Sequence, residues 1–225
     1  MIRLQQVAKV YSLGKVEVRA LDGVTLTIGQ REFVALVGPS GCGKTTLLNL
    51  MAGIDRPTSG EVWFEGERLD YLSDDCLTRL RRTRVGIVYQ FFNLLPTLTA
   101  RENVALPLLL DGLQGGEIEG RVERGLQRVG LTHRADHWPH ELSGGEQQRV
   151  AIARAIVAGP RVVLADEPTG NLDSVAGGAV LDLLDELHRN HGQTIVLATH
   201  SQEAMRRAGR IVHLRDGRIE GLDGP

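Results

Sequence analysis

The segment Gly38-Pro-Ser-Gly-Cys-Gly-Lys-Thr45 constrains this chain more than any other stretch. It follows the apolar run Phe33 to Val37 and opens the helically spaced run Lys44 to Met51. A strand, a glycine-rich turn and a helix in that order make a phosphate-cradling P-loop. Gly38, Gly41 and Gly43 let the backbone curl so that its amides and the helix N-terminus point at an anion, where side chains would obstruct approach. Lys44 adds a point charge for the β- and γ-phosphates of a nucleotide, and the Thr45 hydroxyl is a ligand type that suits Mg²⁺. Ser40, Cys42 and Thr46 complete the expected nucleotide-contacting set, with Cys42 a small filler given no redox role.

Two further segments carry chemistry. Val162-Val-Leu-Ala-Asp166-Glu167 is an apolar strand ending in two acids, which puts both carboxylates at the carboxyl edge of a sheet, where ligands of open α/β folds bind. Asp166 fits a metal-side role and Glu167 a general base for an attacking water; an acidic strand end capping the next helix is the plainer alternative. Leu142-Ser143-Gly144-Gly145-Glu146-Gln147-Gln148-Arg149 precedes a helical stretch, so Ser143 and the two glycines present amides at a second positive helix end. A bare helix N-cap is the plainer alternative for that segment.

Around these motifs the chain alternates strands and helices. Strands are expected at Leu4 to Val10, Val24 to Ile28, Phe33 to Val37, Glu61 to Glu65, Val85 to Tyr89, Val162 to Ala165, Ile195 to Ala198 and Ile211 to Arg215. With helices at Glu146 to Val157 and Val175 to Arg189, this implies an α/β fold whose sheet is covered on both faces. Between Thr99 and Arg134 the pattern is helical, with Val122, Leu126 and Val129 on one face. No repeat or low-complexity linker divides the 225 residues, so one folding unit with two lobes is expected.

Composition narrows the partners. A formal charge of -2 offers no overall basic field for duplex DNA, and nucleic acid is not expected as a partner. The two cysteines, Cys42 and Cys76, have no Cys or His at zinc-ligand spacing, which fits a reduced compartment. Met1 to Tyr11 lacks the apolar stretch of a signal peptide. The longest apolar neighbourhood, Val104 to Leu110, is interrupted by Pro107 and falls far short of the roughly 20 residues that cross a bilayer. Membrane contact is therefore expected only through a partner.

A second anion site is more than one nucleotide requires of one chain, and here the sequence resembles the nucleotide-binding domains of ABC ATPases, whose LSGGQ signature reads LSGGE at 142–146. The resemblance covers essentially the whole chain. It implies a P-loop NTPase core with a mostly parallel sheet, an antiparallel β subdomain near the N-terminus and an inserted α-helical subdomain. As a single domain, 1–225, the core would take 1–90 and 160–225, and about 91–159 would form the helical part carrying the signature. It also implies ATP and Mg²⁺, and a head-to-tail homodimer, or a pair with a related subunit, in which Ser143, Gly144 and Gly145 of one chain close on the phosphate held by the other.

Carried over residue by residue, Tyr11 resembles the aromatic that stacks on adenine, and Gln90 the Q-loop glutamine that reaches Mg²⁺ and the water. His200 resembles the switch histidine that contacts the γ-phosphate. Asn171-Leu-Asp173 resembles the D-loop, where relatives more often carry Ser-Ala-Leu-Asp, so Asp173 transfers more directly than Asn171. Taken singly, Tyr11 is as readily an edge tyrosine, Gln90 a turn residue and His200 a structural strand-end histidine.

Gln90 to Val104, unusually apolar for a loop, and the stretch Asp166 to Asp173 look closest to subunits that power lipoprotein release and macrolide or peptide export, with relatives serving cell division. The implied partner is a separately encoded integral membrane permease, with this chain held at the cytoplasmic face through it. Phe91, Phe92, Leu94 and Leu95 either receive a permease helix or pack internally, and both readings stay open. Two other outputs share the nucleotide chemistry: regulation of a cell-envelope hydrolase through a permease-like partner, and action on DNA or ribosomes. The second is disfavoured by the single P-loop and the lack of heptads.

Overall fold

The computed structural model describes residues 1–14 and 16–224. In chain order it contains β1 (Ile2–Leu13), β2 (Val16–Ile28), β3 (Phe33–Val37), α1 (Lys44–Met51), β4 (Ser59–Phe64), β5 (Glu67–Arg68), α2 (Asp74–Thr83) and β6 (Val85–Val88). There follow α3 (Ala100–Leu110), α4 (Gly116–Arg128), α5 (Gly144–Ile156), β7 (Val162–Asp166), α6 (Ser174–His191), β8 (Thr194–Thr199), α7 (Gln202–Arg207), β9 (Arg210–Arg215) and β10 (Arg218–Asp223).

The strands form two sheets. β1, β2, β4 and β5 make an antiparallel sheet in the order β2-β1-β4-β5. The other has the order β10-β9-β3-β8-β7-β6, parallel throughout except for β10 at its edge. β3 and β8 are buried at every position, as expected of strands covered on both faces. The inner half of β2 instead alternates, burying Leu21, Val24, Leu26 and Ile28.

Strand alternation divides the core in two. Val34, Leu36, Leu164, Val196 and Val212 point towards the antiparallel sheet and α1. Phe33, Val163, Ala165, Ile195 and Leu197 point the other way, into a core shared with α3, α4, α5 and α6. The helices of the middle third therefore have no separate core; they are continuous with one face of the parallel sheet. Packing is tight where α5 crosses β6: a Cβ on Gly86 would lie 2.4 Å from the Ala155 carbonyl oxygen.

The expected α/β architecture is borne out, and the differences have local causes. β1 and β2 run beyond Leu4 to Val10 and Val24 to Ile28 because their backbone ladder continues through mostly exposed residues, Val16 and Val18 among them, that form no continuous buried face. β10 escapes expectation for the same reason, as an edge strand of mostly exposed residues. α2, with half of its residues charged, buries only Leu77 and Leu80, and Ser73 caps it by accepting from the Cys76 N–H. Pro107 does not stop α3, which continues to Leu110. No described helix is long and apolar enough to cross a membrane.

Candidate functional site

Register brings the chemistry to one sheet edge. Val37, the last residue of β3, pairs with Thr199 of β8; Asp166, the last of β7, pairs with Ala198; Ala165 pairs with Val88 of β6. The P-loop, Glu167, His200 and Gln90 follow directly on these carboxyl ends. They line a cleft of about 580 Å³ together with Gly38, Ser40, Gly41, Gly43, Lys44, Thr45, Thr46 and Asp166. A carboxyl edge of this kind is where ligands of open α/β sheets sit.

The loop is shaped as an anion cradle. Gly43, at φ 106°, turns the chain into α1 in a conformation that L side chains rarely adopt, and a Cβ there would lie 2.5 Å from the Ala20 carbonyl oxygen. Above Gly41 a Cβ would meet nothing within 4 Å, so the backbone is open to a ligand. Lys44 is folded back, donating to the carbonyls of Gly38 at 2.9 Å and Pro39 at 3.1 Å. Cys42 turns inward and is buried, outside the cleft lining.

Glu167 sits at the centre of the charge arrangement. Its Oε1 stands 4.0 Å from Lys44 Nζ and its Oε2 2.9 Å from His200 Nδ1. Its backbone takes φ 45°, the left-handed region that costs a non-glycine residue about 1 kcal/mol or more. The Glu167 N–H nevertheless donates to Ala198 at 2.9 Å, prolonging the β7–β8 ladder by one step. Beside it, burial pushes the Asp166 carboxyl above its ordinary value, with Glu167 adding to the rise and the Thr45 hydroxyl and Lys44 opposing it.

The oxygen donors here suit a hard cation: the Thr45 hydroxyl, the Asp166 carboxylate and the Gln90 amide share one cleft. Among the described residues no group of three or more His, Cys, Asp or Glu could hold a metal alone. The set therefore fits an ion completed by phosphate oxygens and water rather than one caged by protein.

Gln90 is held from outside the cleft. Its amide donates to Asn171 Oδ1 at 3.2 Å, and Asn171 Nδ2 returns a bond to the Gln90 carbonyl at 3.1 Å. Gln148 adds a second tie that the sequence did not reveal. Its amide donates to the carbonyls of Tyr89 at 3.2 Å and Pro168 at 2.8 Å, joining α5 to the residues flanking Gln90 and Glu167. The side chain is fully buried and its Oε1 lacks a hydrogen-bond partner. Only its place one turn inside the signature helix hinted at it.

Six of the expected site positions, Cys42 among them, lie outside the cleft lining in the single chain. Ser143 is an exposed N-cap whose hydroxyl accepts from the Glu146 N–H, while Glu146 Oε2 accepts from the Ser143 N–H at 2.8 Å, closing a capping box. That bond leads in holding the Glu146 carboxyl below its ordinary value, against partial burial and with help from the Ser143 hydroxyl and Arg134. The glutamate of LSGGE thus stabilises the helix end that presents Gly144 and Gly145. Asp173 caps α6 through Oδ1, which accepts from Val175 and Ala176.

Tyr11 also lies outside that lining, anchored at its tip. Its hydroxyl donates to Asp55 Oδ2 at 2.8 Å, and Lys9 Nζ covers one ring face at 4.9 Å. Burial raises the phenol above its ordinary value, Asp55 adding to the effect and Thr46 opposing it. Asp55, gripped at Oδ1 by Lys9 at 2.6 Å, is a second residue the sequence did not point to.

Comparison with known proteins is consistent with this geometry. The family model described as "ABC transporter" matches residues 21–170. The lipoprotein-releasing system ATP-binding protein LolD of Xanthomonas oryzae pv. oryzae is 48% identical over 98% of this chain and 91% of its own. An uncharacterized ABC transporter ATP-binding protein of Thermotoga maritima is 47% identical over 99% of this chain and 94% of its own. Among solved structures, the ATP-binding cassette MJ0796, in a dimeric post-hydrolysis state bound to ADP and Pi, superposes with a TM-score of 0.92. It is 43% identical and covers 100% of this chain and 98% of that one.

Proposed function

This chain belongs to the ABC transporter ATP-binding family, and on that premise we propose that it works as one half of a head-to-tail dimer driving a separately encoded membrane permease. It is an ATPase, the energy-supplying subunit of a transporter. The cytoplasmic face of the membrane, the permease and the envelope cargo belong to the proposal. So does the division into a core of 1–90 and 160–225 and a helical lobe of about 91–159.

One observation carries the dimer. Ser143 is exposed at the positive end of α5, away from the cleft lined by Lys44, Glu167 and His200. A single chain therefore presents half of each of two anion sites, and two chains opposed head to tail complete both.

In the proposed cycle Lys44 leaves the Gly38 and Pro39 carbonyls for the β- and γ-phosphates of ATP. Glu167 takes the proton of the attacking water through the oxygen not engaged by His200, and His200 fixes the carboxylate plane. Asp166 and Thr45 would hold Mg²⁺, with Gln90 turned to the same side. The ion supplies charge neutralisation across the phosphates. Little covalent work falls to the protein, so position and charge supply most of the acceleration.

Support for a permease comes from a groove of about 440 Å³ beside Gln90, walled by Ile54, Ile87, Tyr89 and Pro107. Phe91 and Leu95 are exposed at 72% and 46%, which leaves them accessible to a permease helix, while Leu94 packs against the core and Phe92 is half-buried. The 48% identity to a lipoprotein-releasing subunit favours work on an envelope substrate.

The test is affinity purification of the Glu167→Gln chain from detergent-solubilised membranes with ATP and Mg²⁺. A stoichiometric multi-span membrane protein is expected; ribosomal or DNA-repair proteins without one would overturn the proposal.

A further inference from the structure

Lys9 and Tyr11, two residues apart on β1, both reach one carboxylate. Asp55 accepts from Lys9 Nζ at 2.6 Å through Oδ1 and from the Tyr11 hydroxyl at 2.8 Å through Oδ2, and the Arg56 N–H adds a third bond at 2.7 Å. Burial works against the charge, yet the bonds from Lys9, Tyr11 and Arg56 together outweigh it and hold the Asp55 carboxyl below its ordinary value. Lys9 Nζ is itself tied down, donating at 2.8 Å to the Arg56 carbonyl.

Asp55 belongs to the end of the P-loop helix. α1 closes at Met51, and the Ile54 N–H bonds back to the Asn49 carbonyl at 2.9 Å, so the turn that carries Asp55 is folded onto the helix whose first residues are Lys44 and Thr45. The Tyr11 ring is thereby fixed relative to the phosphate cradle. Its tip is bonded to Asp55 and lies beside the Thr46 hydroxyl, and Lys9 Nζ covers one face at 4.9 Å. Its backbone pairs with Val18, two residues before Ala20. Ala20 and Thr46 both line the cleft, so the ring stands at the cleft's rim. Among the described residues no second cation and no other ring lies over Tyr11.

An aromatic ring held this way is prepared for a flat partner. Every nucleotide base has a π-face that stacks on an aromatic side chain, and a ring already immobilised loses less freedom when the base arrives. The hydroxyl proton is spent on Asp55, so Tyr11 offers its face rather than a hydrogen bond to the base edge.

We infer that Asp55, with Lys9, is a positioning residue for the base of the nucleotide: the pair sets the Tyr11 ring so that Lys9 closes one face and the base takes the other. This rests on the reading of the cleft as an ATP site with Tyr11 at its base end, and it adds two residues that act through that ring. Their contribution is to the base and not to the phosphates, so it disappears for a ligand that has phosphates alone.

The experiment compares equilibrium binding of ATP and of inorganic tripolyphosphate to the full chain, in EDTA to stop turnover. Asp55→Ala is expected to weaken ATP about tenfold and to leave tripolyphosphate within about twofold of the parent. Tyr11→Ala should weaken ATP at least as much, and the double variant no more than Tyr11→Ala alone, because Asp55 acts through the ring. Asp55→Asn, which keeps an oxygen for the phenol but loses the charge that holds Lys9, should fall between parent and Asp55→Ala. With Mg²⁺ present, KM for ATP should rise in Asp55→Ala by a larger factor than kcat falls.

Equal losses for ATP and tripolyphosphate in Asp55→Ala would make Asp55 a prop of the P-loop and overturn the inference. Additive losses in the double variant, or unchanged ATP affinity in Tyr11→Ala or Asp55→Ala, would overturn it as well, and all three results leave the ATPase reading standing. A parent chain that binds neither ligand and hydrolyses no ATP overturns both. If thermal unfolding shows that Asp55→Ala disrupts the chain, Asp55→Asn and Lys9→Met carry the comparison, with the same contrast between the two ligands expected.

Discussion

His200 Nδ1 lies 2.9 Å from Glu167 Oε2, although each residue follows a different strand and their side chains are 73% and 17% exposed. The exposed imidazole thus orients a mostly enclosed carboxylate, which on its other side faces Lys44 at 4.0 Å. Orientation of a general base by a second group is a recurring device in catalysis.

Glu167→Gln is expected to keep ATP binding and lower kcat by about 10²–10⁴-fold, the range for removing a general base. His200→Ala should lower kcat less and leave nucleotide affinity near that of the parent. Single-turnover hydrolysis beside equilibrium nucleotide binding makes the check; near-normal turnover in Glu167→Gln would remove it as the base.

Asn171→Ala removes both amide bonds to Gln90. At about 0.5–1.5 kcal/mol each, their loss should cost roughly tenfold in kcat with little change in ATP affinity. An unchanged kcat would mean that Gln90 needs no such restraint.

Asp166 should mark the pH dependence of stability. Burial raises its pKa above the ordinary carboxyl value of 3.8, so the folded chain holds this proton to higher pH than the unfolded chain does. Its contribution to stability therefore falls as pH rises from 3.8 through the raised value, and the full penalty applies above it. Asp166→Asn is expected to raise the Tm of the nucleotide-free chain at neutral pH in EDTA, with the gain shrinking on acidification, while Mg²⁺-dependent hydrolysis is lost. A gain that grew towards low pH would contradict the assignment.

Asp173 separates two roles. Asp173→Ala removes the α6 cap and should cost about 1 kcal/mol in chemical denaturation, whereas Asp173→Ser keeps a capping oxygen and most of that stability. If Asp173 also acts across the dimer, the serine variant will still lose ATP-dependent dimerisation, measured by sedimentation. Parent-like dimerisation in it would confine Asp173 to capping.

The local motifs were legible because each is a short-range device. A P-loop needs its glycines, lysine and threonine at set spacing, and the apolar runs of β3, β7 and β8 need burial on both faces, so residue type alone reports them. The mostly exposed outer halves of β1 and β2 and the charge-rich α2 went unread because their order comes from pairing partners and a narrow buried stripe.

What the sequence determined by itself was the inventory of groups and the strand or helix end on which each rides. Tertiary structure decided their distances. Parallel register levels the ends of β3, β6, β7 and β8, and so sets Lys44, Asp166, Glu167, Gln90 and His200 around one cleft. It also left Ser143 outside that cleft, locked Asn171 to Gln90, and gathered Arg81, Arg82 and Arg154 along one groove. Such relations join residues far apart in the chain, and they exist only once burial and backbone pairing have fixed which faces meet.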